Sequence, residues 1–85
     1  NSFIDSLAWV YYQKKQYQVA LDLFAGIAED FIREHSEVAY HIAATYYQLE
    51  EWDKAQKYLE QAAEEQKPAR KLLKKLQKQS LQGKN

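Results

Sequence analysis

The sequence contains no cysteine, which excludes a disulfide framework, a thiolate nucleophile and a cysteine-based metal site. One proline and two glycines are too few for the many turns of an all-β fold. No apolar run approaches the ~18 residues of a membrane-spanning helix, and no signal peptide is recognisable. Methionine is absent even at the first position, which indicates a piece of a longer protein. The remaining composition, rich in Ala, Leu, Glu, Lys and Gln, favours helices.

The formal net charge is zero, but the charges are unevenly distributed. Residues 1–34 carry a net charge of −2 and residues 35–66 a net charge of −5. Residues 67–85 contain seven basic residues and no acidic ones. The sequence therefore combines an acidic body with a cationic end.

An internal repeat becomes visible when the sequence is shifted by 35 residues. Small, aromatic and polar residues then align with identical residues in the other copy. The identical pairs are Ala8 with Ala43, Tyr11 with Tyr46, Tyr12 with Tyr47, Gln13 with Gln48, Ala20 with Ala55, Ala28 with Ala63 and Glu29 with Glu64. Conservative pairs add Leu7 with Ile42, Tyr17 with Trp52 and Phe24 with Leu59.

Each copy predicts two helices, and a fifth helix follows them. In the first copy, Asn1 or Ser2 is a candidate cap, residues 14–16 form a turn, and the second helix carries apolar residues from Tyr17 to Ala28. Residues 33–36 join the copies, with Ser36 as the predicted cap of the third helix. Residues 50–51 form the second turn, and Trp52 opens the fourth helix. Pro68 suits the first turn of the fifth helix.

Predicted core positions follow the apolar spacing of these helices. They are Ile4, Leu7, Ala8, Tyr11, Tyr17, Ala20, Leu21, Phe24, Ile27 and Ala28 in the first copy, and Ala39, Ile42, Ala43, Tyr46, Trp52, Ala55, Leu59, Ala62 and Ala63 in the second. Leu72, Leu73 and Leu76 share one face of the fifth helix. The small residues predict close helix approach and the rings predict filled gaps between helices.

At these positions the sequence resembles the tetratricopeptide repeat (TPR) family. The resemblance covers residues 2–68, and the run from Asp5 to Trp9 is similar to bacterial versions of the repeat. It implies an all-α fold, a right-handed superhelix of two helical hairpins with a C-terminal capping helix. The implied domain spans residues 1–81, with repeats at 2–33 and 37–67, a capping helix at 68–80 and a frayed tail at 82–85. Ala8 and Ala43 replace the family's glycine, and Ile32 stands where its first proline is common.

In this family the first helix of each pair lines a concave groove that binds a peptide or helical segment. The resemblance therefore implies a function as a protein-interaction scaffold. The implied groove residues are Asp5, Trp9, Tyr12, Gln13, Tyr40, Tyr47, Gln48, Lys71, Lys74 and Lys78, with Ser2, Glu37 and Ala44 at the remaining equivalent positions. The rings supply apolar area, and the glutamines suit a peptide backbone. Asp5 and Trp9 stand where some relatives grip a C-terminal carboxylate, which argues against that clamp.

Alternative interpretations remain open at this point. Tyr12 and Tyr47 could instead be packing residues of the superhelix. The chain would then be a structural end-cap that binds no ligand in the groove. Phe3, Trp9 and Val10 are apolar residues outside the predicted core, and they predict self-association through the first helix. The lysines of the fifth helix suggest an anion or nucleic-acid binder. However, residues 67–85 contain no aromatic ring to stack on a base.

No pattern of catalytic residues is recognisable, so we expect no enzyme activity and no cofactor. His35 and His41 are six residues apart, which does not place them on one helical face as metal ligands, and we expect no metal. Ser6 lies within a predicted helix without an oxyanion turn. The compartment is undetermined, and a bacterial origin would be compatible with cytoplasm or periplasm.

Overall fold

Six helices account for nearly all of residues 2–83, which are the residues that the computed structural model describes, with side-chain surroundings given for residues 3–79. No strand occurs among these residues, so the predicted all-α class is confirmed. The helices are α1 (Ser2–Gln13), α2 (Tyr17–Phe24), α3 (Glu29–Glu34), α4 (Ser36–Gln48), α5 (Trp52–Ala62) and α6 (Lys67–Gly83). Helix α1 packs on α2, α4 packs on α5, and α6 packs on α5 and α4.

The turns that close the two hairpins, α1–α2 and α4–α5, have the same backbone structure at equivalent residues. Lys15 and Glu50 adopt positive φ angles of 66° and 62°. The amide that follows each donates to a carbonyl five residues back, from Gln16 to Tyr11 at 2.9 Å and from Glu51 to Tyr46 at 3.0 Å. These bonds define a Schellman motif at the end of α1 and again at the end of α4. The 35-residue repeat in the sequence therefore corresponds to a repeat in the backbone.

Alanines and a few larger apolar residues form the core shared by the helices. Ala8 and Ala43 are buried at equivalent positions, and so are Ala20 and Ala55. Larger buried side chains fill the space around them: Phe24, Ile27, Ile32, Val38, Ile42, Leu59 and Leu76. Because an alanine lets neighbouring backbones approach closely, the alanines at the same positions of both copies set the spacing between the helices.

The second helix of the first copy is shorter than predicted. It ends at Phe24, and a separate helix, α3, occupies Glu29–Glu34 and extends into the joint predicted at residues 33–36. Gly26 lies in the break, and a glycine weakens a helix by roughly 1 kcal/mol relative to alanine. The equivalent residue of the second copy is Gln61, and there α5 continues to Ala62. This difference gives six helices instead of the predicted five.

Helix α4 begins differently from the prediction. The residue that caps it is His35, which makes no side-chain capping bond, and Ser36 is already within the helix. The Ser36 hydroxyl instead accepts a hydrogen bond of 3.0 Å from the Gln66 amide. Pro68 lies in the first turn of α6, as predicted. Of the two candidate caps of α1, Ser2 is already within that helix and Asn1 lies outside the described residues.

Helix α6 extends past its predicted end. It was expected over residues 68–80, and it runs from Lys67 to Gly83. The last two residues of the predicted frayed tail, 84 and 85, lie outside the described residues. Leu76 is buried, whereas Leu72 and Leu73 are half-buried against the same core.

One face of α1 is open although the equivalent face of α4 is covered. Phe3, Leu7 and Val10 are 77%, 39% and 44% exposed, and the residues 35 positions later, Val38, Ile42 and Thr45, are at most 4% exposed. Helices α2 and α3 pack against α4 and contribute to the core around Ile42. The predicted core position of Leu7 is therefore wrong, because it has no such cover. Ala28 is exposed as well.

Candidate interaction surface

A buried hydrogen bond joins the first helices of the two hairpins. Asp5 Oδ1 lies 2.8 Å from His41 Nδ1, and the two side chains are only 9% and 11% exposed. Thr45, one turn further along α4, donates its hydroxyl to the His41 carbonyl at 2.8 Å. Among the described residues, no buried side-chain nitrogen or oxygen lacks a hydrogen-bond partner. The Asp5 carboxylate, predicted to line the groove, is thus bound within the fold.

Trp9 lies at the centre of a group of stacked rings. Its ring centroid is 4.2 Å from that of Tyr12 at an interplanar angle of 6°, and 3.9 Å from that of His41 at 20°. The Tyr40 ring is 6.2 Å away and tilted by 48°. Stacked and tilted arrangements of this kind stabilise beyond simple burial by about 0.5–1.5 kcal/mol per pair. Trp9 is therefore a packing residue of the α1–α4 contact as well as a candidate binding residue.

Two further ring pairs occupy equivalent places in the two hairpins. Tyr12 and Tyr17 meet edge to face at 5.4 Å, and Tyr47 and Trp52 do so at 5.2 Å. Each pair joins the end of the first helix to the start of the second across the Schellman turn. The tryptophan and tyrosine rings of α1 and α4 are half-buried, so each shows part of its surface to solvent.

Tyr12 links the ring cluster to the end of α4. Burial raises the pKa of the Tyr12 phenol, and an interaction with the Gln48 side chain partly offsets that increase. Gln13 and Gln48 are exposed at the last positions of α1 and α4. The structure therefore brings Trp9, Tyr12, Tyr40 and Gln48 together, as the groove prediction requires, and leaves exposed amides at the edge of the rings.

The predicted basic residues of the surface lie on α6. Lys71, Lys74 and Lys78 are exposed, and none of them forms an ion pair within residues 3–79. Helix α6 touches α4 as well as α5, so this helix borders the second hairpin. The structure records no contact between these lysines and the rings of α1.

One group of side chains was missed by reasoning from the sequence. Glu37, His41 and Asp5 each offer a donor atom, and the three atoms all lie within 4.8 Å of one another. The group was missed because only the spacing between His35 and His41 was considered in the search for metal ligands. The signal available was the i, i+4 spacing of Glu37 and His41, which places both on one face of α4.

A separate open cleft of about 500 Å³ lies away from the ring cluster. It is lined by Gln18, Leu21, Asp22, Ala25, Tyr46, Leu49, Glu51 and Lys54. The Lys54 ammonium lies 5.7 Å from the centre of the Tyr46 ring. Its lining mixes both signs of charge around a small apolar area, and no part of the predicted groove contributes to it.

Tyr58 connects the two halves of the molecule near this cleft. Its ring stacks on Tyr46 at 6.1 Å, and its hydroxyl donates to Glu29 Oε1 at 3.3 Å. Burial, together with the negative charge of Glu29, raises the pKa of the Tyr58 phenol to about 12. The phenol therefore stays neutral at physiological pH and serves as a hydrogen-bond donor between α5 and α3.

Comparison with models of protein families, with curated proteins and with solved structures found no match. Within residues 2–83, no helix combines the length and the apolar character needed to span a membrane.

Proposed function

We propose that this chain is a protein-interaction scaffold that binds an extended peptide or helical segment across α1 and α4. The observation that carries the proposal is the ring cluster. Trp9, Tyr12 and Tyr40 come from both helices, and the Trp9 ring centroid lies 4.2 Å from that of Tyr12 and 6.2 Å from that of Tyr40. All three rings are half-buried, and exposed glutamine amides lie at the ends of both helices. A partly exposed aromatic surface with polar edges is typical of protein-binding sites.

The chemistry of the surface suits a polypeptide ligand. Half-buried rings offer apolar area while losing little conformational entropy on binding, because their positions are already held by stacking. Exposed Gln13 and Gln48 carry both a donor and an acceptor, the pair of groups that a peptide backbone also carries. The unpaired lysines of α6 favour an acidic segment in the ligand.

The proposed architecture is that of the TPR family, with the two hairpins stacked as successive turns of a right-handed superhelix. Its support is the equivalence of the hairpins: Schellman turns at Lys15 and Glu50, and buried alanines at Ala8 and Ala43. Stacked repeats of this kind bury one continuous core and offer an extended binding surface.

The test is selection of binders from a phage-displayed library of random peptides, followed by affinity measurements on variants. Gln48→Ala removes an exposed amide from the surface, and we expect it to weaken selected peptides about fivefold, equivalent to about 1 kcal/mol. The matched control is Gln18→Ala, at another exposed glutamine, which lies on α2 and lines the separate cleft. Trp9→Ala is less suitable as the sole variant, because it also removes the ring stacked on His41.

The proposal fails if no peptide is selected, or if Gln18→Ala weakens the selected peptides as much as Gln48→Ala does. Circular dichroism of both variants checks that the helices are retained. Selected peptides rich in Asp and Glu would support a role for α6, and reversal of Lys74 to Glu would then weaken them further.

A second candidate function is self-association, which the open face of α1 favours. Phe3, Leu7 and Val10 are exposed, whereas the equivalent face of α4 is buried beneath α2 and α3. Helix α5, by contrast, is already packed against α6. We therefore propose two copies related by a two-fold axis, with the open faces of their α1 helices in contact.

Sedimentation velocity tests this arrangement with a matched pair of substitutions. Val10 and Val19 are 44% and 40% exposed, but only Val10 belongs to the open face of α1. Val10→Ser is expected to shift the population to monomers, and Val19→Ser is expected to leave it unchanged. A monomeric wild-type chain at high micromolar concentration would rule the arrangement out.

A further inference from the structure

The first turn of α1 and the first two turns of α4 bring together side chains that commonly bind metal ions. Asp5, Glu37 and His41 each place a donor atom within 4.8 Å of the other two. We propose that these three residues bind one divalent transition-metal ion of intermediate softness, such as Zn²⁺, which would connect the two hairpins. The ligand set is one imidazole nitrogen and two carboxylate oxygens, with a fourth position open to water.

The distances are compatible with metal binding after small adjustments of these side chains. Bonds of about 2.0–2.2 Å in a tetrahedral site separate neighbouring ligand atoms by about 3.3 Å. Asp5 Oδ1 and His41 Nδ1 lie 2.8 Å apart, so these two atoms would separate by about 0.5 Å on binding the ion. Glu37 is exposed and makes no hydrogen bond or ion pair with the described residues, so its carboxylate is free to move towards the other two. Its exposure also provides a path for the ion to enter.

The electrostatic surroundings favour a cation. Helices α1 and α4 contain no lysine or arginine, and Asp5 and Glu37 are their only acidic residues. Neither carboxylate is paired with a lysine or arginine among the residues described. An ion of charge +2 would therefore offset two carboxylates that pair with no lysine or arginine of residues 3–79.

The three residues are not part of the repeat pattern. At the positions offset by 35, the other copy holds different residue types: Tyr40, Ser2 and Ser6. The repeat pattern therefore does not account for Asp5, Glu37 or His41, unlike the alanines and rings that recur in both copies. Their meeting across the α1–α4 contact is specific to this site.

The ordinary alternative is a structural hydrogen bond between Asp5 and His41 beside a solvated glutamate. The two interpretations differ in the role of Glu37. A structural bond needs only Asp5 and His41, whereas a metal site also needs the exposed carboxylate, whose loss should reduce affinity by at least about tenfold.

The experiment measures Zn²⁺ binding to the chelator-treated chain by calorimetry and by the rise in the thermal unfolding midpoint. Glu37→Gln is the decisive variant, because its exposed position lets the fold survive. Glu34→Gln is the matched control, an exposed glutamate three residues away that removes the same charge. His35→Gln is a second control, because His35 is an exposed histidine outside the group.

We expect one Zn²⁺ per chain, with wild type and both controls binding alike and Glu37→Gln binding at least about tenfold more weakly. Visible absorption of Co²⁺ in the same site gives a second readout that does not depend on stability. The proposal is overturned if Zn²⁺ leaves the wild-type midpoint unchanged, or if Glu37→Gln binds as tightly as Glu34→Gln. Either result would leave a structural hydrogen bond between Asp5 and His41.

Discussion

The buried hydrogen bond between Asp5 and His41 should contribute measurably to stability, and a double-mutant cycle isolates its contribution. The cycle compares Asp5→Ala, His41→Ala and the double variant with the wild type by urea unfolding. Each single substitution leaves a buried polar partner without its bond, whereas the double substitution removes both groups. The difference between the double variant and the sum of the single variants is the coupling free energy.

Burial determines the expected magnitude. A hydrogen bond to a charged group contributes about 1.5–3 kcal/mol when water cannot replace it. The Asp5 and His41 side chains are 9% and 11% exposed, so we expect a coupling in that range. His41→Ala alone should be the most damaging change, because it leaves a carboxylate buried without its partner, at a cost of about 3–5 kcal/mol. For a domain of this size each kcal/mol corresponds to a shift of about 4–8 °C in Tm.

An exposed ion pair in the same molecule supplies the comparison. Glu51 and Lys54 lie 3.6 Å apart with side chains 51% and 63% exposed, and such pairs couple by no more than about 1 kcal/mol. Both cycles are measured with a chelator present, so that no bound metal contributes. A coupling between Asp5 and His41 no larger than that between Glu51 and Lys54 would refute the reasoning from burial.

Further predictions concern the core, the turns and one tyrosine. Leu59→Ala should lower the free energy of unfolding by about 2–5 kcal/mol, because the side chain is fully buried. Leu7→Ala should lower it by less than about 1 kcal/mol in a monomer, because the Leu7 methyl groups remain partly in water. Urea unfolding measures both changes. Lys15→Gly and Glu50→Gly should each stabilise the fold by up to about 1 kcal/mol, since glycine adopts a positive φ angle without the strain of a side chain. Clearly unequal effects of the two substitutions in thermal unfolding would contradict the equivalence of the turns. The pKa of Tyr58 is raised to about 12 from 10.0, so the unfolded chain loses this proton first and stability should fall as pH rises from about 10 through about 12. Tyr58→Phe should remove a phenol that titrates near pH 12 from the ultraviolet absorbance titration, and an unchanged titration in that range would argue against the raised pKa.

Several features of the fold followed from residue pattern alone because they depend on local interactions. Helical spacing and the 35-residue offset predicted two equivalent hairpins, and Ala8, Ala20, Ala43 and Ala55 are all buried as expected. The break after Phe24 was missed. Gly26 was its local signal, but a single glycine is tolerated in many helices, so its effect depends on surrounding contacts.

The candidate surface was predictable only in outline. Translating the repeat onto α1 and α4 correctly grouped Trp9, Tyr12 and Tyr40. It did not predict that Asp5 is buried, because its partner lies 36 residues away and no local spacing connects the two. The contact of Asp5 with the group that includes Glu37 was missed for the same reason, whereas the i, i+4 spacing of Glu37 and His41 was a local signal that was overlooked.

The order of residues along the chain was sufficient to determine helices, their pairing into hairpins and the register of small side chains. These properties arise from interactions between residues close in sequence. The second copy of the repeat shows the same helix pattern as the first, which supports the prediction independently. Tertiary structure alone decided which equivalent positions differ: Ile42 is buried beneath another pair of helices and Leu7 is left open. It also decided that a carboxylate from α1 meets an imidazole from α4. Burial and long-range contact depend on what packs against a residue, and its neighbours in sequence do not specify that.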